Sequence, residues 1–162
     1  MAINEDFRSL KDLLSHPEFL EGHYWRPARY NAEDLIIVEG QVNKDIYVVL
    51  QGSLMVCTNV QLSDVRHITS GLCELFDGEE FAQSCFFDDE PHCATVKALS
   101  DCELAVIDAG KLKLFLHRHP DIGYQILFHW VEMLLPRIRK SNQRISNLFS
   151  WGLKAHKIDQ EM

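Results

Sequence analysis

The sequence predicts a mainly β domain, a small sandwich or barrel, framed by helices at both ends. Three observations carry this. Short runs rich in Val, Ile, Tyr and Leu recur between about His23 and Ile107. Gly, Asn and Asp, the residues that turns use, separate them. Outside this stretch the apolar spacing changes to the helical period.

Taken in order, Ile3, Phe7, Leu10 and Leu14 fall four, three and four apart, one apolar stripe of a helix that Pro17 should end. The strand runs are Leu35–Val38, Ile46–Leu50, Leu54–Cys57, Leu72–Phe76, Ala94–Leu99 and Leu104–Ile107. Gly52, between Gln51 and Ser53, separates two of them closely enough for a tight hairpin turn. From Thr58 to Gly71 the chain is polar and weakly patterned, which reads as a long loop with at most one ragged strand. After Asp108, Leu112, Phe115 and Leu116, and then Ile122 onward, return to helical spacing. The expected organisation is a helical segment over 1–22, the β-region over 23–110 and a helical region over 111–162.

The chain has 162 residues, 46% hydrophobic and 25% charged, enough for a real core in one domain with a helical extension. No stretch approaches the roughly 20 apolar residues of a membrane span. The polar, acidic start from Met1 to Asp12 is unlike a secretory signal, so a cytoplasmic protein without membrane association is expected. The five cysteines, at 57, 73, 85, 93 and 102, form no CxxC and are expected to be free thiols. Charge is uneven: seven Lys and Arg face twenty Asp and Glu over 1–109, against nine and four over 110–162. An acidic body is a poor grip for phosphates, and the basic end suits an electrostatic role.

Ile126–Leu135 is apolar all round except for His129 and Glu132, so more than one of its faces must be buried. The β-region can cover only one. A heptad with Leu127 at d places Val131, Ile138 and Ile145 at a, and Leu134, Ser141 and Leu148 at d. β-branched a with Leu at d favours parallel two-stranded coiled coils. The expected seam of a homodimer is therefore Leu127, Val131, Leu134, Ile138, Ile145 and Leu148. Pro136 falls at f, away from the seam, and should kink the helix. Beyond it Arg137, Arg139, Lys140, Arg144, Lys154 and Lys157 run without an acid until Asp159: a solvated face, or a dock for an acidic partner.

Several segments, in this order and spacing, resemble the cyclic nucleotide-binding domain family: Ile37-Val38-Glu39-Gly40, Ile46 to Leu54, Gly78-Glu79-Glu80-Phe81, and Pro91-His92-Cys93-Ala94-Thr95-Val96. The match covers roughly residues 10–135. It implies an eight-stranded, jelly-roll-like β-roll between an N-terminal helical segment and a long C-terminal helix that dimerises. Gly40, Gly52 and Gly78 stand at the family's turn glycines. The resemblance places a phosphate-binding cassette at Ala82, Gln83, Ser84, His92, Cys93 and Ala94. Here the family's Gly-Glu reads Ala82-Gln83, and its Pro-Arg-Ser-Ala reads Pro91-His92-Cys93-Ala94. His92 offers at most one compact charge where Arg offers a permanent planar fork. Losing one charge-assisted bond costs roughly 1.5 to 3 kcal/mol, about ten to a hundredfold in affinity. Glu74, Asp77, Glu79, Glu80, Asp88, Asp89 and Glu90 crowd the same stretch, and it holds no Lys or Arg between His67 and Val96. Gln83 can still bond a ribose hydroxyl, and Ser84 or Cys93 can donate weakly.

These features predict a non-catalytic regulatory module sensing a small ligand, with cyclic AMP or cyclic GMP the candidate. Two alternatives stand beside it: a ligand-independent protein interaction scaffold, and a haem or metal redox sensor using Cys85, His92 and Cys93. The sequence carries no GxSxG, P-loop or HExxH signature of catalysis. After Trp151 too few residues follow for a DNA-reading helix-turn-helix, so none is expected.

Overall fold

The strand Asp45–Gln51 shows how this sequence builds its fold. Ile46, Tyr47, Val48 and Val49 are all buried, on both faces, because the sheet they belong to is covered twice. Ile46 and Val48 point into a core built with helices, and Tyr47 and Val49 into the interior between two sheets. A continuous apolar run is what a doubly covered strand requires.

The computed structural model describes residues 7–63 and 66–155. Ile3 at one end, and Lys157 and Asp159 at the other, lie outside the described residues. The elements are α1 (Leu10–Leu13), β1 (Trp25–Tyr30), β2 (Leu35–Ile37), β3 (Asp45–Gln51), β4 (Leu54–Ser63), β5 (Arg66–Leu75), β6 (Glu80–Phe81), β7 (Thr95–Ala98), β8 (Cys102–Asp108), α2 (Ala109–Arg118) and α3 (Pro120–Ala155). One antiparallel sheet has the order β1-β8-β3-β6 and the other β2-β7-β4-β5. Together they make an eight-stranded β-roll with a short helix before it and a long helix after it, as expected. The roll interior is filled by Ile37, Leu54, Leu75, Phe81, Val96 and Leu104 among others. The outer face of the β1-β8-β3-β6 sheet carries Ile46, Val48, Ala105 and Ile107, and α1, α2 and the start of α3 cover it.

Two sequence expectations change places. Gly52 does not close a hairpin: β3 and β4 lie in different sheets, and the turn carries the chain from one to the other. Gly52 adopts φ 102°, and an added Cβ would come within 2.6 Å of the Cys102 Cβ, so only glycine fits this crossing. The real hairpin lies where a loop was expected, since β4 and β5 pair from Leu54↔Leu75 to Ser63↔Arg66. The register shifts between Val56 and Cys57 and again between Gln61 and Ser63. Such shifts break the strict alternation by which a strand is recognised in sequence.

Smaller differences have local causes. The strand β1, WRPARY, lacks an alternating pattern and carries Pro27, which an edge strand tolerates because one side of its ladder is unpaired. The helix α1 is a single turn that begins at Leu10, capped reciprocally by Ser9 and Asp12, and ends well before Pro17. Leu10 and Leu13 are its buried residues, Phe7 is buried ahead of its cap, and Leu14 packs at their margin. Pro136 does not interrupt α3, which is 36 residues long.

Candidate functional site

The cassette runs from the end of β6 to the start of β7, and its shape begins with one strained residue. Ala82 adopts φ 64°, ψ 26°, a left-handed conformation that costs a residue with a Cβ about 1–2 kcal/mol. The single 3-10 turn Gln83–Phe86 follows it. Gln83 is half-buried and its Nε2 donates to the Glu80 carbonyl at 3.2 Å, Ser84 is exposed, and Phe86 is buried against the helices.

On the opposite side of the loop His92 is 8% exposed. Its N–H donates to the Gln41 carbonyl and its carbonyl accepts from the Gly40 N–H, both at 2.9 Å, clamping it to the turn after β2. Its imidazole Nε2 is buried and has no hydrogen-bond partner among the described residues. Burial pushes this imidazole below its ordinary value, so the site holds a neutral ring with one uncommitted polar atom. Cys93 is exposed and Ala94 half-buried beside it.

The acidic run that was expected to crowd the cassette is mostly turn chemistry. Asp77 accepts the Gly52 N–H at 2.9 Å, Glu79 the Phe76 N–H at 2.8 Å, and Asp88 the Glu90 N–H at 3.2 Å. Asp89 pairs with Lys44 at 3.1 Å. Glu80 is buried under α3. These five carboxylates are spent on the backbone, one lysine and, for Glu80, an indole N–H, and burial is what shifts His92.

Glu80 is the functional candidate that sequence reasoning missed. It is 1% exposed; one carboxylate oxygen accepts the Leu10 N–H at 2.6 Å and the other the Trp130 indole N–H at 2.7 Å. Burial raises its carboxyl above the ordinary value, while the indole and the Leu10 amide pull it back less strongly. Nothing in Gly78-Glu79-Glu80-Phe81 tells which of the two glutamates is buried, and the indole that satisfies Glu80 lies 50 residues away.

The expected seam residues Leu127, Val131, Leu134, Ile138, Ile145 and Leu148 all lie on α3 and are exposed. The helix buries only its early face, through Ile122, Ile126 and Trp130. Arg137, Arg139, Lys140, Arg144 and Lys154 are exposed as well.

Residues 27–119, more than half the chain, match the cyclic nucleotide-binding domain family. The chain belongs to this family. It is also similar to the cAMP-activated global transcriptional regulator CRP of Pasteurella multocida, 27% identical over 121 residues, 74% of this chain and 54% of the relative. A Haemophilus influenzae CRP is 26% identical over a similar span, so the chain spans about half the length of the curated relatives it matches. Among solved structures, a cyclic nucleotide-binding domain from Methylobacillus flagellatus aligns with TM-score 0.66 at 20% identity, covering 75% of this chain and 66% of that one. At such identity the likeness speaks for the fold alone.

Of the residues that the resemblance places in the cassette, Ala82 holds by strain a conformation glycine takes freely, and His92 is a buried imidazole that burial pushes below its ordinary value. The redox-sensor alternative finds no such support. Cys85 is half-buried against the helical core, where burial pushes its thiol up. Among the described residues no group of three His, Cys, Asp or Glu is placed to hold a metal ion. All five cysteines are free, and no described helix is long and apolar enough to cross a membrane.

Proposed function

We propose that this chain is a non-catalytic regulatory module whose β-roll receives a small ligand, a cyclic nucleotide or a close relative of one, at Ala82, Gln83, Ser84, His92, Cys93 and Ala94. The observation that supports this best is the unpartnered, buried Nε2 of His92 beside a cassette whose backbone is kept in strain. A buried polar atom without a partner is rare in a finished protein core and calls for a group that completes it, the role this reading gives to the ligand. A neutral imidazole supplies one hydrogen bond and no charge, so a cyclic phosphate is held more weakly here than by an arginine.

The output in this reading is α3, which pairs with a second copy of the chain. Its exposed seam has β-branched a and Leu d positions. The same heptad puts Arg137 and Arg144 at g and Asn142 and Phe149 at e. A parallel pair sets each Arg against Asn or Phe, whereas an antiparallel pair sets Arg against Arg.

The test is calorimetric titration with cyclic AMP and cyclic GMP of wild type and His92→Arg. Restoring the cation should tighten cyclic nucleotide binding about tenfold. Identical affinities for the two proteins would mean that the phosphate is held elsewhere. No heat from either protein with either nucleotide would leave the interaction scaffold as the better reading.

A further inference from the structure

The cassette reading makes no use of the Glu80 carboxylate, yet three distant segments meet on it. Leu10 opens α1, Glu80 lies on β6 and Trp130 lies on α3. One oxygen serves the Leu10 N–H at 2.6 Å and the other the Trp130 indole at 2.7 Å, short distances of the kind that charge-assisted bonds show. The cassette grips the same indole from its ring side: the Phe86 and Phe87 rings meet it edge-on, with centroids 5.3 and 5.9 Å away. The strand β6 is two residues long, sits at the sheet edge and pairs with β3 alone, with Phe81 held in the roll interior and Glu80 facing the helices.

We infer that Glu80 is a clasp that joins the N-terminal and C-terminal helices into one mechanical unit, so that α3 cannot lift at Trp130 without loosening α1 at Leu10. A buried carboxylate depends on all of its donors. When one leaves, the oxygen it served is unmatched and draws in water. Water is close at hand, because a cleft of about 440 Å³ between the Gly78–Glu80 turn and α3 borders the clasp, lined also by His129, Met133 and Arg137. An opening that wets one carboxylate oxygen wets the bond on the other. The coupling requires no ligand, so it goes beyond the cassette reading and stands or falls apart from it. Its consequence is that the segment leading into Leu10 belongs to the moving part of the domain together with α3.

The test is amide hydrogen exchange on the full chain, comparing wild type with Trp130→Phe and Glu80→Gln. Trp130→Phe keeps a ring against Phe86 and Phe87 and removes the N–H. Exchange at the Leu10 amide should accelerate at least about tenfold, while Ile46 and Val48 in β3 keep their wild-type rates; exchange free energy is local where a segment opens by itself. Glu80→Gln leaves one acceptor for two donors, and both the Leu10 amide and the Trp130 indole N–H should exchange faster. An unchanged Leu10 rate in Trp130→Phe overturns the clasp. So does an equal acceleration of Leu10, Ile46 and Val48, which would show a global loss of stability. Should either variant fail to fold, Ser9→Ala tests the coupling from the other end. Loss of this cap loosens α1 and should speed exchange of the Trp130 indole N–H, and an unmoved indole would refute the coupling.

Discussion

Ile126 and Ile138 are the same residue twelve positions apart on one helix, yet the first is fully buried and the second is 53% exposed. The helix changes character at Trp130. Up to that point α3 is part of the core of the domain, packed with Phe115, Leu116 and the outer face of the roll. Beyond it, Val131, Leu134, Ile138, Ile145 and Leu148 are equally apolar and exposed. The apolar residues alone do not separate the two stretches. The roll is simply too short to cover a 36-residue helix, which at 1.5 Å per residue is about 54 Å long.

The sharpest way to break this comparison is to place the same charge on both stretches. Ile126→Glu buries an unpaired carboxylate in the core and should destabilise the domain by several kcal/mol, enough to unfold it. The pair Leu134→Glu and Ile138→Glu should leave the β-content intact and convert a dimer to a monomer, because the charges are buried only when a second copy is present. Circular dichroism with light scattering separates these outcomes. An unchanged dimer would put the interface elsewhere, and unfolding of the double variant would assign the stripe to the core.

A smaller effect distinguishes the cassette from the helix by pH. The His92 imidazole is pushed below its ordinary value in the folded state, whereas the unfolded chain takes up its proton near the ordinary imidazole value of 6.5. In the window below 6.5 the unfolded state binds more protons, so the stability present above 6.5 is lost as pH falls toward the folded value. Glu80, raised in the folded state, acts with the opposite sign: its share is present below the ordinary glutamate value of 4.5 and is lost as pH rises. Denaturant titrations at pH 7.5 and 5.5 of wild type and His92→Gln isolate the imidazole. Wild type should lose more stability on acidification than the variant, and equal losses would mean that His92 titrates freely in the fold.

The smallest effect concerns the strained residue between these regions. Ala82→Gly relieves a left-handed conformation and should stabilise the domain by about 1 kcal/mol, less the extra freedom glycine gains when unfolded. A shift of the denaturant midpoint upward measures it. A downward shift would show that the Ala82 methyl, half-buried against the roll interior, packs for more than the strain costs.

Which parts could be read in advance follows from how far apart the deciding residues are. The run Ile46–Val49 announces a doubly covered strand by itself, and Gly40, Gly52 and Gly78 hold the positive φ their positions suggested. The Gly52 turn was read as a hairpin because a turn signal says that the chain reverses, not that the flanking strands bond to each other. Within the β4–β5 hairpin only 58–71 reads as a loop with at most one ragged strand, because the register shifts there blur the alternation. In the site, Ala82, Gln83 and His92 stand out as departures from a motif, and His92 as an imidazole mostly uncharged at neutral pH, but its burial does not, since that is set by elements distant in the chain.

The sequence by itself determined the mainly β roll with its flanking helices and the apolar stripe of α3, because each rests on residues near one another in the chain whose period or turn chemistry is local. Only the tertiary structure decided which sheet each strand joins, which carboxylates are spent on turns, where α3 stops being core, and that Glu80 is buried. Those outcomes depend on which surfaces meet when the chain closes. The partners of Glu80 lie 70 residues away at Leu10 and 50 away at Trp130, and no local pattern carries that pairing.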